Sequence, residues 1–138
     1  MIIADTSGLL ALYNRREPAH GAVTAAVAAA VEPLVVSPYV VAELDYLIAT
    51  RVGVEAEIAV LQELAGGAYE HAPFGSDDLA ACAQIVGRYR DQAIGVTDAS
   101  LVVLANRYRT RTILTLDQRH FRTLRPLTGG RFTLLPDN

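Results

Sequence analysis

The chain has 138 residues, 51% hydrophobic and 20% charged, a composition of one globular domain and not of a disordered chain. One cysteine, Cys82, excludes an internal disulfide and a multi-cysteine zinc site; no signal peptide precedes Asp5, and no apolar run approaches the roughly 18 residues of a membrane span, so a cytoplasmic protein is expected. Twelve basic and 15 acidic residues leave a net charge of −3, and every basic residue is arginine, which excludes P-loop and Schiff-base lysine chemistry and argues against a bulk non-specific nucleic-acid binder.

Ile2-Ile3-Ala4 is an apolar run that predicts a buried first strand, and Asp5-Thr6-Ser7 supplies helix-start residues for a short helix over Gly8–Tyr13. A polar turn over Asn14–Pro18 leads to a helix over His20–Val31, stopped before Glu32-Pro33, and Leu34-Val35-Val36 reads as a second strand. Ser37-Pro38 opens the next helix, because serine caps free amides and proline tolerates the first helical position. That helix runs through Ala49 or Arg51, and Gly53 breaks it from Val54–Ala65. After Gly66-Gly67, Tyr69–Ala72 reads as a short strand. Ser76-Asp77-Asp78 caps a helix to about Tyr89, its early carboxylates favourable at the positive end. Gly95-Val96-Thr97-Asp98 starts another helix to about Tyr108. Thr112–Leu116 is a β-branched strand ending at Asp117, and Arg131–Leu135 is a last short strand. Strands separated by helices predict an α/β fold with a mostly parallel sheet, in one domain spanning 1–138.

Asp5 and Asp117 each end an apolar strand, where open α/β sheets bind ligands. Two acids at that edge repel unless something positive sits between them, and Asp98 adds a third at a helix start. Taken singly, each also reads as a cap or turn residue. In the helix after Ser37, the stripe Val40, Val41, Leu44, Leu47 and Ile48 leaves Glu43 on one border and Asp45 on the other, so periodicity does not choose between them. His20, His71 and His120 have no ligand spacing and read as structural or surface residues. Hard oxygen acids without a cysteine cluster or histidine pair point to Mg²⁺ or Mn²⁺ and not zinc. Seven of the twelve arginines (Arg107, Arg109, Arg111, Arg119, Arg122, Arg125 and Arg131) crowd the last quarter, as solubilising residues or as a phosphate-contacting surface.

The ordered set Asp5-Thr6-Ser7, Glu43 in a Ser-Pro-capped helix, Thr97-Asp98-Ala99 and Asp117-Gln118-Arg119-His120-Phe121 resembles the PIN-domain nucleases, and closely the VapC toxins of VapBC toxin–antitoxin modules. The resemblance runs from Met1 to about Phe132, although Val54–Pro73 matches only in its helical character. It implies a three-layer sandwich with a mostly parallel central sheet flanked by helices. Asp5, Glu43, Asp98 and Asp117 match the family's catalytic acids, which favours Glu43 over Asp45; Asp5 and Asp98 are the implied metal ligands. Thr6 matches the family's hydroxyl after the first aspartate, and Thr6, Ser7 and Arg119 are expected to position substrate. The implied activity is a Mg²⁺-dependent (or Mn²⁺-dependent) endoribonuclease toxin acting on RNA of the tRNA or rRNA class. It would use in-line attack by metal-activated water, leaving a 5′-phosphate and a 3′-hydroxyl. A homodimer and an inhibitory cognate antitoxin covering the acidic groove are the implied partners, with Val52–Leu64 and Tyr39–Ile48 offering spare apolar surface.

Other classes fit less well. A receiver domain needs a lysine, and a haloacid-dehalogenase-like phosphatase needs both a lysine and an acid where Ser7 stands. A PIN-fold nuclease of routine RNA maturation, and a non-catalytic binding module on the same fold, are the alternatives; the compact length suits the toxin.

Overall fold

The computed structural model describes residues 1–136. In chain order the elements are β1 (Ile2–Ala4), α1 (Thr6–Tyr13), α2 (His20–Ala28), β2 (Leu34–Val36), α3 (Pro38–Arg51), α4 (Val54–Ala65) and β3 (Tyr69–His71). Then follow α5 (Ser76–Arg88), a 3-10 turn (Arg90–Gln92), α6 (Val96–Arg107), β4 (Thr112–Leu114), α7 (Gln118–Thr123) and β5 (Thr133–Leu135). The five strands form one parallel sheet in the order β3-β2-β1-β4-β5, flanked by helices.

That order places the site. The chain first builds outward from β1 through β2 to β3, then returns to lay β4 and β5 on the other side of β1. The connections therefore diverge between β1 and β4, leaving a crevice at the carboxyl ends of those two strands. Ile3 pairs with Ile113 and Ala4 with Leu114, so Asp5 and the Thr115–Asp117 segment leave the sheet side by side. The Asp5 amide continues the ladder by donating to the Leu114 carbonyl at 2.9 Å.

The core is the buried strands plus α6, in which Ala99 through Ala105 are all buried. A helix apolar on every face belongs in the interior, and α6 packs against α5, α3 and β1. One polar link crosses this core: the Ser100 hydroxyl bonds Ser37 Oγ at 2.9 Å and the Thr97 carbonyl at 2.6 Å. Ser37 in turn caps α3 by accepting the Tyr39 amide. Gly8 lets α1 close on β4, because a Cβ there would stand 2.6 Å from the Leu114 carbonyl oxygen.

Several boundaries differ from the sequence expectation. The second helix ends at Ala28 and not Val31, and Val31 is exposed; with Pro33 ahead, the chain has to turn into β2 before the alanine run is used up. Gly75, not Ser76, precedes α5, and its amide is held by the Asp78 carboxylate at 2.9 Å. The outer strands shorten to Tyr69–His71 and Thr133–Leu135, and β4 stops at Leu114, because each parallel ladder lasts only as long as its partner. Helix α7 is not announced by the sequence pattern, since six residues are too few to display a helical period.

Candidate active site

Asp5 is buried at the end of β1 and caps α1. One carboxylate oxygen accepts the Thr6 amide at 2.8 Å; the other accepts the hydroxyls of Thr115 at 2.7 Å and Ser7 at 3.2 Å. Thr115 also accepts the Asp117 amide, and Ser7 accepts the Leu116 amide, each at 2.9 Å. A short web of hydroxyls thus ties the first aspartate to the loop that carries the last one. Thr6 is buried as well, and its hydroxyl has no hydrogen-bond partner among the described residues.

Asp98 sits in the first turn of α6 and Asp117 caps α7. Between them stands His120, with Nδ1 3.1 Å from an Asp117 oxygen and 3.3 Å from an Asp98 oxygen. Glu43, on the exposed face of α3, lies near enough for its charge to act on Asp98. Asp45 turns the other way, toward α4, where its hydrogen bond holds the Glu57 carboxyl above the ordinary range. The structure therefore separates the two acids that periodicity left equivalent: Glu43 faces the crevice and Asp45 does not. Arg119 is exposed on α7, two residues beyond Asp117, and its guanidinium forms no ion pair among the described residues.

The electrostatics are those of a site short of positive charge. Burial, then the neighbouring charge of Asp5, pushes the Asp98 carboxyl up to about 6; His120 pulls it down, while Asp117 and Glu43 push it up further. Burial also raises Asp5, against the lowering effect of its three hydrogen bonds, and Asp117 adds to the rise. Carboxylates that raise one another bind a cation well, because the cation removes the repulsion that protonation would otherwise relieve. Among the described residues, no group of three or more His, Cys, Asp or Glu side chains is placed to hold a metal ion. An open donor set of hard oxygens matches Mg²⁺, which binds through one or two carboxylates and keeps several waters. Asp5 and Asp98 are the pair that would hold such an ion.

Sequence reasoning missed three features. Thr115 passed as a β-branched strand residue, although a threonine two residues before a strand-end aspartate is poised to bond backward. His120 reads from the sequence only as a structural or surface residue, because histidine spacing says nothing about a ring meeting two aspartates, one of them 22 residues away. The Ser37–Ser100 link, which sets α3 against α6 and hence Glu43 against Asp98, left no signal beyond the serine cap.

Comparison with known proteins agrees with this architecture. Residues 2–125 match the family model for the PIN domain. Ribonuclease VapC26 of Mycobacterium tuberculosis is 62% identical over 135 residues, covering 98% of this chain and all of the relative. Among solved structures, VapC20 of Mycobacterium tuberculosis, a sarcin–ricin loop cleaving toxin, superposes with a TM-score of 0.78 at 20% identity, over 85% of this chain and 90% of that one. VapBC2 from Rickettsia felis, bound to a DNA fragment from its promoter, gives 0.67 at 16% identity over 97% of each chain. With the family model covering most of its length and a 62% identical relative matched end to end, this chain belongs to the PIN-domain family, within its VapC group.

Proposed function

We propose that this protein is a divalent-cation-dependent endoribonuclease toxin, acting in the cytoplasm on RNA of the tRNA or rRNA class and restrained by a cognate antitoxin. The observation that carries this reading is the convergence of Asp5, Asp98 and Asp117, with Glu43 at the rim, on the crevice between β1 and β4. Mg²⁺ or Mn²⁺, when bound, supplies the charge that offsets a phosphodiester and acidifies a water for in-line attack. Asp5 and Asp98 would hold the cation, while the Thr115 and Ser7 hydroxyls donate to Asp5, orient it and oppose the rise that burial imposes on it. In this reading Glu43 and Asp117 flank the crevice as acceptors for the proton of the attacking water, and Thr6 and Arg119 are assigned to positioning the phosphate. The products are a 5′-phosphate and a 3′-hydroxyl.

The antitoxin reading draws on a cavity of about 690 Å³ that starts at Ser7 and Leu116 and runs between α1, α3 and α4, past apolar Leu10, Ile48 and Val60, with Arg16, Glu17 and Arg51 also lining it. Tyr46, Val52, Val54, Ile58 and Leu61 are large exposed apolar residues of the α3–α4 hairpin, suited to a homodimer contact or a partner helix. The 62% identical relative is named a ribonuclease, and solved structures of similar fold include toxin–antitoxin complexes.

The deciding experiment is to sequence the ends of RNA cleaved by the purified chain, with chelator and with Mg²⁺ or Mn²⁺ restored. Cleavage should stop in chelator and return with either metal, leaving 5′-phosphate ends. Cleavage that persists in excess chelator overturns the metal-dependent reading.

A further inference from the structure

The seven arginines of the last quarter do not form one cluster around the acids. Arg107, Arg109 and Arg111 lie at the far end of α6 and the start of β4, opposite the crevice. Asp98 and Arg107 are nine residues apart on α6, roughly 14 Å along the helix axis. There they line a groove of about 840 Å³ with Asn106, Pro126 and Thr128, and among the described residues no acidic side chain lines it. Arg107 is already engaged, paired with Asp78 at 2.9 Å and donating to the Pro73 carbonyl. Arg109 and Arg111 are not paired with any carboxylate among the described residues.

Both free arginines are held in ways that solubility alone does not require. The Thr110 amide bonds the Ala105 carbonyl at 2.9 Å, closing a helix end that puts Arg109 at φ +54°, where glycine is the usual residue. Arginine there carries a backbone strain that glycine would not. The Arg111 guanidinium donates to Thr128 at 3.3 Å and lies against Gly130, where a Cβ would come within 2.8 Å of it. The polypeptide also links this groove to the acids. From Asp117, α7 leads to Arg122 and Arg125, which with Arg131 line a second hollow of about 180 Å³. Arg125 is followed directly by Pro126, the first loop residue of the far groove.

We propose that this arginine track, from Arg122 and Arg125 to Arg109 and Arg111, binds the sugar-phosphate backbone of a structured RNA at a distance from the scissile bond. The inference rests on the ribonuclease reading and deepens it. The chain is net negative, so RNA approaching an acidic crevice needs local positive potential elsewhere. Guanidinium forks match phosphate oxygens and carry no base preference. A strand of only two or three nucleotides seated at the acids would end short of the far groove, whereas the stem of a hairpin cleaved in its loop would extend along it. The track thus selects folded RNA over free single strands by contact area and not by sequence.

The test compares a synthetic hairpin RNA with the isolated single strand of its loop, using the purified chain and its Arg109→Gly, Arg111→Ala and double variants. Each lost contact should flatten the dependence of log binding constant on log salt by about 0.7 to 0.9 for the hairpin, and raise its KM with kcat unchanged. Cleavage of the loop strand should not change. Arg109→Gly should also raise the melting temperature while weakening hairpin binding, opposite signs that a merely structural arginine does not produce. An unchanged hairpin KM and salt slope in the double variant overturns the track. The same binding series in an Asp98→Asn background separates the two readings. Arginine-dependent hairpin binding in that background, with a parent chain that cleaves neither RNA in Mg²⁺ or Mn²⁺, supports the track and removes the ribonuclease reading; cleavage by the parent chain with no arginine dependence of binding does the reverse.

Discussion

Replacing Asp98 by asparagine should stabilise the metal-free protein at neutral pH, and the size of the effect follows from the site. Its carboxyl is raised from an ordinary 3.8 to about 6, chiefly by burial and by Asp5. That rise corresponds to roughly 3 kcal/mol against the ionised form. The side chain keeps 18% of its exposure, so solvent screens part of this. A carboxylate in the first turn of α6 also gains about 0.3–1 kcal/mol from the helix dipole, which asparagine forgoes. A net gain of about 1–2 kcal/mol is expected, several degrees in melting temperature for a chain of this size. The sign depends on pH. Because the folded carboxyl holds its proton more tightly than the unfolded one, the parent is favoured below about pH 4 and loses that advantage as pH rises through about 6. Asparagine does not titrate, so the gap between variant and parent should be absent below about pH 4, open between about pH 4 and pH 6, and stay constant above. Asp5, raised in the same direction, keeps some slope in the variant. Urea unfolding in chelator across this pH range reads the effect directly. Mg²⁺ should then reverse the order, by stabilising the parent in proportion to its occupancy and the variant much less. A variant less stable than the parent at neutral pH in chelator, or a gap independent of pH, refutes the reasoning.

Other substitutions test the site's supports. Thr115→Val keeps the shape but removes the donor to Asp5 and the acceptor of the Asp117 amide; it should cost about 1–3 kcal/mol and lower RNA cleavage, and unchanged unfolding would show that the web carries no energy. Gly8→Ala forces a Cβ against the Leu114 carbonyl oxygen, so it should destabilise by about 1–3 kcal/mol despite the better helix propensity of alanine, read as a lower urea midpoint. Glu43→Gln should reduce cleavage by an order of magnitude or more, as expected of a proton acceptor, while Asp45→Asn leaves it near the parent rate; the opposite ranking would reassign the fourth acid.

Much of this protein can be read along the chain, because much of it is local. The alternation of apolar runs with capped helices sets an α/β fold, and Asp5 and Ser37 announce their helices through side chains that satisfy amides two or fewer residues away. Two acids at strand ends already lie where a parallel sheet binds ligands. What the chain order cannot carry is contact between distant segments. The crevice exists because β4 returns to the far side of β1, a choice made by packing the whole sheet. Thr115 reaches Asp5 across 110 residues, and His120 meets Asp98 across a strand and a turn. Glu43 and Asp45 are symmetric about one apolar stripe; the family resemblance already favours Glu43, but periodicity does not, and the placement of α4 and α6 on either side supplies the physical difference. The arginines look like one basic run in sequence, yet α6 and α7 distribute them between the two ends of the sheet. Local hydrogen bonding and periodicity determined the elements; the charge balance of the site, which depends on distances between elements, was decided only when they packed.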